Sequence, residues 1–307
     1  DSSIIAGLIT KEIGENKLHT FSIGQTIDSP DLIASRIVAK HIQSIHTEVI
    51  ISAEEMFVNI PNVIKVLESY DTTTVRASTP MYILCNKIKK TNPELNVIFS
   101  GEGADEVFGG YLYFHMAPTA QEFHEETVRK LSMLSKYDCL RANKATAAWG
   151  LETRVPFLDK EFLDVAMSID PTDKMCPGKK IEKEILRKAF EGYLPDEILW
   201  RQKEQFSDGV GYSWIDTLKK QAEEKVTDEM LKKAKEIFPL QTPSSKEEYL
   251  YRQIFDSYFS NPTAVLTVPV GPTIACSTPT AFRWSKEFAA MNDPSGRSVK
   301  SVHKPVV

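Results

Sequence analysis

The 307-residue sequence predicts an α/β chain, a parallel sheet with helices on both faces, continued by a mostly helical C-terminal half. Three observations carry this. Strand-like runs (His19–Gly24, Ile45–Ser52, Val97–Phe99) alternate with helix-patterned segments. The last run stops abruptly at a glycine-rich turn bearing carboxylates, Ser100-Gly-Glu-Gly-Ala-Asp-Glu106. Beyond Pro118 the apolar residues recur at threes and fours and strand signals are scarce.

In chain order, Asp1 to Lys11 reads as a helix entered directly, which suggests that upstream sequence is missing. A strand over His19–Gly24 is followed by a helix with Ser29 as cap and Pro30 in its first turn, running to Ile42. Ile45–Ser52 is the next strand. Ala53–Tyr70 is helical, with Pro61 expected to split it in two, and Ser78-Thr-Pro80 opens a helix to Lys90. Val97–Phe99 then reads as a buried strand. Strand and helix units in this order imply right-handed crossovers and covered sheet faces.

Helices are expected over Gln121–Lys136, Tyr137–Trp149, Lys160–Ser168, Lys179–Glu191 and Ile215–Glu236. Pro262, Pro269, Pro272 and Pro279 mark a loop-like end, and residues 292–307 are polar with glycine and proline. The expected organisation is 1–117, 118–260 and 261–307, with a soft first boundary because motif residues fall on both sides of it.

Composition narrows the function. A 42% hydrophobic chain of this length supports one large core or two moderate ones. The net charge of −5 gives no positive field for a nucleic acid or an anionic membrane, so neither is an expected partner. The basic runs 87–90, 179–183 and 232–235 then read as solvated helix faces. Cys85, Cys139, Cys176 and Cys276 lack zinc-like spacing, and reduced, scattered thiols point to a cytoplasmic setting. The six histidines show no ligand spacing and predict no zinc site.

Taken alone, the turn after Phe99 has two readings. Ser100, Gly101 and Gly103 permit close backbone approach of a ligand at the carboxyl end of a strand, where open α/β sheets bind. The same residues also suit an ordinary helix start capped by Ser100. Asp1 likewise suits a helix's first turn, Ile23 a core position, Lys203 the surface, and Asp138 with Arg141 an i,i+3 ion pair. Thr73 and Arg76 suit a cap and a surface charge.

Longer stretches resolve the choice by resemblance. Asp1-Ser2-Ser3 resembles the end of the pyrophosphate loop of ATP pyrophosphatases. Thr72-Thr-Thr-Val-Arg-Ala-Ser-Thr-Pro80, Ser100–Tyr111 and Gln202–Trp214 resemble glutamine-using asparagine synthetases, a similarity that runs from Phe21 to Arg297. The first four residues of the loop and the glutaminase domain that precedes this region in the family are absent from the chain. The segment from Leu8 to Thr20 is shorter than the family suggests, as expected of a fragment or of a sequence with parts dropped.

The resemblance implies an adenine nucleotide alpha hydrolase-like fold, with residues 1–117 binding ATP and 118–260 completing the site. It implies activation of aspartate by MgATP to β-aspartyl-AMP, then displacement of AMP by ammonia drawn from glutamine in the glutaminase domain; the alternatives are another adenylating amide ligase, such as a β-lactam synthetase, or a non-catalytic ATP-binding module. By the same resemblance, Asp1, Ser2, Ser3, Ser100, Gly101 and Ile23 contact ATP, and Asp1 with Asp105 holds Mg²⁺. Glu102 serves adenylate formation and removes a proton from the attacking ammonia, and Lys203 neutralises charge on the α-phosphate. Asp138, Arg141, Thr73 and Arg76 border the intermediate, while Glu106 remains an ordinary first-turn acid. A homodimer is also implied.

Overall fold

The computed structural model describes residues 1–177, 180–204, 206–211, 213–270 and 278–291. Helix α1 (Ser2–Ile13) leads to β1 (His19–Gly24), α2 (Pro30–His41), β2 (Ile45–Ile50), α3 (Ala53–Leu67) and α4 (Thr72–Thr91). Strand β3 (Val97–Phe99) is followed by the short α5 (Ala104–Phe108), then α6 (Ala120–Met133), α7 (Asp138–Ala147) and β4 (Glu152–Arg154). The rest is helical: α8 (Lys160–Ser168), α9 (Pro171–Lys174), α10 (Glu184–Ala189), α11 (Asp196–Leu199), α12 (Phe206–Gly209) and α13 (Ser213–Lys225). It ends with α14 (Asp228–Lys232), α15 (Ala234–Ile237), α16 (Lys246–Tyr258), α17 (Pro279–Trp284) and α18 (Lys286–Ala290).

The strands pair in parallel, as expected, and among the described residues they form two pairs. β1 and β2 run in register from His19 opposite Ile45 to Gly24 opposite Ile50. β3 lies on β4, a strand the sequence reading missed, with Val97 opposite Glu152 and Phe99 opposite Arg154. β3 is not buried: Val97 and Phe99 share one face by the two-residue period and are 41% and 51% exposed.

Pro61 does not split its helix. A proline inside a helix costs about 3 kcal/mol. Against this, α3 buries Met56, Ile60, Val63, Ile64 and Leu67, each contributing roughly 1.5–3 kcal/mol. The next helix begins six residues before Ser78, because the Asp71 carboxylate accepts from the Thr74 amide at 2.9 Å and its hydroxyl at 2.6 Å. Pro80 therefore sits inside α4. It cannot donate to the Arg76 carbonyl one turn back, and the Trp214 indole N–H does so instead at 3.0 Å.

The expected helix over Ile215–Glu236 breaks where Thr227 caps α14 by accepting from the Met230 amide. Of the expected Lys179–Glu191 helix, the described residues are α-helical over α10, and Lys179 lies outside the described residues. Helix α16 was not anticipated. Pro279 starts a helix rather than a loop, with Thr278 as its cap, while residues 292–307 and Cys276 lie outside the described residues.

The largest core joins α3, α4, α13 and α16 around Trp214 and Tyr251, with Ile23 of β1 against it. A second unites α1, α2, α5, α8, α10 and α11. An aromatic third, with Tyr113, Phe114, Phe123 and Phe288, fastens α17 and α18 near α6. The carboxyl end of β3 and the start of α1 face one cleft between these masses.

Candidate active site

The site is built on the turn after β3. The Ser100 amide donates to the Arg154 carbonyl at 2.9 Å, which extends the strand pairing by one residue, so Ser100 is not a helix cap. Gly101 lets α1 abut the turn, since a Cβ there would lie 2.6 Å from the Ser2 nitrogen. Gly103 takes φ +94 and is the N-cap of α5. This close junction brings Asp1 beside Asp105.

Both carboxylates converge on one ammonium. Lys183 Nζ lies 2.7 and 2.6 Å from the two Asp1 oxygens and 2.7 Å from Asp105 Oδ1. Lys203 Nζ takes the other oxygen of Asp105 at 2.8 Å. Burial pushes the Asp105 carboxyl up, but the two lysines more than reverse it and hold Asp105 below the usual carboxylate range. Burial lowers the Lys183 ammonium, whereas Asp105 outweighs burial at Lys203 and raises it. Lys203 is thus no surface lysine.

Across the cleft, Arg141 Nη2 bridges Glu102 at 2.7 Å and Asp138 at 3.0 Å. Burial, with the neighbouring Asp138 and Asp105 charges, outweighs Arg141 and pushes the Glu102 carboxyl up to about 7. Arg141 and the Lys130 field hold Asp138 down against its burial. Tyr111 joins the chain: its hydroxyl donates to Glu106 and lies 3.3 Å from Asp138. Glu106 is only 2% exposed and is pushed up to about 7 by burial and by Asp138, so it is not the solvated first-turn acid expected.

Beneath the lysines lies Glu182, with 0% exposure. It accepts from the Lys203 amide at 2.8 Å and from Arg187 at 2.8 Å, and His115 approaches at 3.4 Å. Burial lowers the His115 imidazolium, but hydrogen bonds to Cys176 and Glu182 reverse this and raise it to about 9.

These groups line a cleft of about 540 Å³. Of the residues expected at a site, Asp1, Ser2, Ser3, Thr73, Ser100, Gly101, Glu102, Asp105, Asp138, Arg141 and Lys203 all line it. Two stand apart from that lining. Ile23 is core, 2% exposed. The Arg76 guanidinium is buried against Glu247, with contacts of 2.6 and 2.8 Å. It also lies within α4 rather than before a helix. Sequence reasoning missed Lys183, Glu182, Tyr111 and Glu106. The run 179–183 gave Lys183 the look of a solvated face, and nothing in its pattern marks a buried charge.

The donor chemistry at Asp1 and Asp105 suits Mg²⁺, which takes one or two carboxylates with phosphate oxygens and waters. The two already converge on a single cation, for which the Lys183 ammonium stands in. Among the described residues no group of three or more His, Cys, Asp or Glu side chains is placed to hold a metal. No described helix is long and apolar enough to cross a membrane.

Fold and site together define an α/β protein whose parallel strand end faces a cleft with opposed carboxylates and lysines. The chain belongs to the asparagine synthase family, whose model matches residues 1–122 and 115–271. It is 54% identical over 316 residues to asparagine synthetase B [glutamine-hydrolyzing] of Escherichia coli strain K12, covering 99% of this chain and 56% of that protein. It is 52% identical over 317 residues to an asparagine synthetase [glutamine-hydrolyzing] of Triphysaria versicolor, covering 99% and 54%. The counterpart of Zea mays is 52% identical over 315 residues, covering 98% and 53%. The chain spans about half the length of these relatives.

Proposed function

We propose that this chain is the amide-forming half of a glutamine-hydrolysing asparagine synthetase. The observation that carries the reading is the Glu102–Arg141–Asp138 chain facing Asp105, Lys183 and Lys203 across one cleft. An acid can bind at one end and a nucleoside triphosphate at the other.

In the first step an oxygen of the aspartate β-carboxylate attacks the α-phosphorus of ATP, the bond to the β-phosphate breaks, and pyrophosphate leaves. Lys203 offsets the charge that builds on the α-phosphate. Ser100, Gly101, Ser2 and Ser3 position the nucleotide, with Ile23 supporting its site from the core. Asp1 and Asp105 would hold Mg²⁺, which when bound neutralises charge on the leaving pyrophosphate.

In the second step ammonia attacks the acyl carbon and AMP departs with the oxygen that aspartate supplied. Glu102, as the carboxylate, accepts the proton that the nitrogen must lose. Arg141 fixes Glu102, Asp138 receives the substrate ammonium, and Thr73 borders the intermediate. Arg76 contributes by anchoring the helix that carries Thr73. Ammonia from a glutaminase domain, a homodimer and a cytoplasmic setting complete the proposal, supported by the family membership.

Pyrophosphate release by the full-length protein across a panel of carboxylic acids tests it. Aspartate should be preferred, ammonia should then yield asparagine, and Lys203→Ala should lose synthesis with the fold retained. Preference for another acid, or near wild-type synthesis by Lys203→Ala, would contradict it.

A further inference from the structure

The cleft is lined by seven cationic side chains, and six have a carboxylate within ion-pair distance: Arg129 on Glu126, Arg141 on Glu102, Lys183 on Asp1, Arg187 on Glu182, Arg201 on Asp31 and Lys203 on Asp105. Lys130 is the exception among the described residues. It projects from α6, half-buried, with its ammonium 4.5 Å from the centroid of the Tyr111 ring. Lys203 lies over that same ring at 5.3 Å. The Tyr111 hydroxyl in turn lies 3.3 Å from Asp138.

We infer that Lys130 is a specificity-determining residue that binds the non-reacting α-carboxylate of the amino-acid substrate. The inference rests on the adenylation reading above. If Lys203 marks the end where a carboxylate meets the α-phosphate, and Asp138 takes the ammonium, the second carboxylate of aspartate needs a cation nearby. Lys130 supplies it: Asp138 and Glu106 feel its charge, but no carboxylate of the described residues lies within ion-pair distance of it. Two ammonium groups over the Tyr111 ring and a carboxylate at its hydroxyl offer one partner each to the two carboxylates and the ammonium of an acidic amino acid. A monocarboxylic β-amino acid would leave Lys130 unanswered.

The test is aspartate-dependent exchange of pyrophosphate into ATP by the full-length protein. Lys130→Ala should raise the KM for aspartate about tenfold or more, the usual loss for a charge-assisted contact, with the KM for ATP unchanged. Lys130→Arg should restore much of it. 3-Aminopropanoate, which is aspartate without its α-carboxylate, should inhibit wild type and Lys130→Ala equally weakly. An unchanged KM for aspartate, or a parallel rise for ATP, would overturn the role of Lys130 while leaving the adenylation reading intact. Absence of aspartate-dependent exchange in the wild type would overturn that reading and the role of Lys130 with it.

Discussion

The role proposed for Glu102 rests on what surrounds its carboxyl. A carboxylate in water is ionised well below neutral pH, but burial beside Asp138 and Asp105 pushes Glu102 up to about 7 despite Arg141. Only the ionised form can accept a proton from the attacking nitrogen. Because the folded value is raised, the ionised fraction grows as pH rises through about 7 and shrinks below it. Ammonia-dependent asparagine formation at saturating free ammonia should therefore rise with pH through that region and level off above it. Glu102→Gln should abolish the reaction. A rate flat from acid to alkaline pH would remove Glu102 from the role. This residue was legible in the sequence because its Ser-Gly-Glu-Gly setting is distinctive. Lys183 and Glu182 were not: each owes its place at the cleft to burial against partners far along the chain, and side-chain periodicity carries no record of such pairs.

At the scale of elements, the two prolines inside helices, Pro61 and Pro80, misled the sequence reading for the same reason. Local rules weigh a missing N–H but not the burial or the distant donor that offsets it. In α4 the donor is identifiable as Trp214, whose indole serves the Arg76 carbonyl that Pro80 cannot reach. Trp214 is also fully buried, so Trp214→Phe should destabilise the protein by about 2 kcal/mol or more, through an unserved carbonyl and lost volume. Placing the same change in a Pro80→Ala background should cost roughly 1 kcal/mol less, because the new amide at position 80 can take up the carbonyl. Urea denaturation of the four proteins checks this cycle. Strict additivity would show that the indole bond does not compensate Pro80. The strands β1 and β2 and the helices α2 and α8 were legible because their patterns are local. β4 was not, since three residues between helix and turn are too short for alternation to register.

For the whole molecule, the parallel strands and the helical second half followed from the sequence. The division of the strands into two pairs, and the way α10 and α11 close around the turn after β3, came only from the structure. That closure brings Lys183 and Lys203, from the second half, onto Asp105 in the first. In the proposed reaction this junction transfers AMP to a carboxylate. Aspartate labelled with ¹⁸O in its β-carboxylate, incubated with ATP and ammonia and the full-length protein, tests it directly. ¹⁸O should appear in the phosphate of AMP, one oxygen for each asparagine formed. Label in inorganic phosphate, with ADP as the nucleotide product, would contradict it.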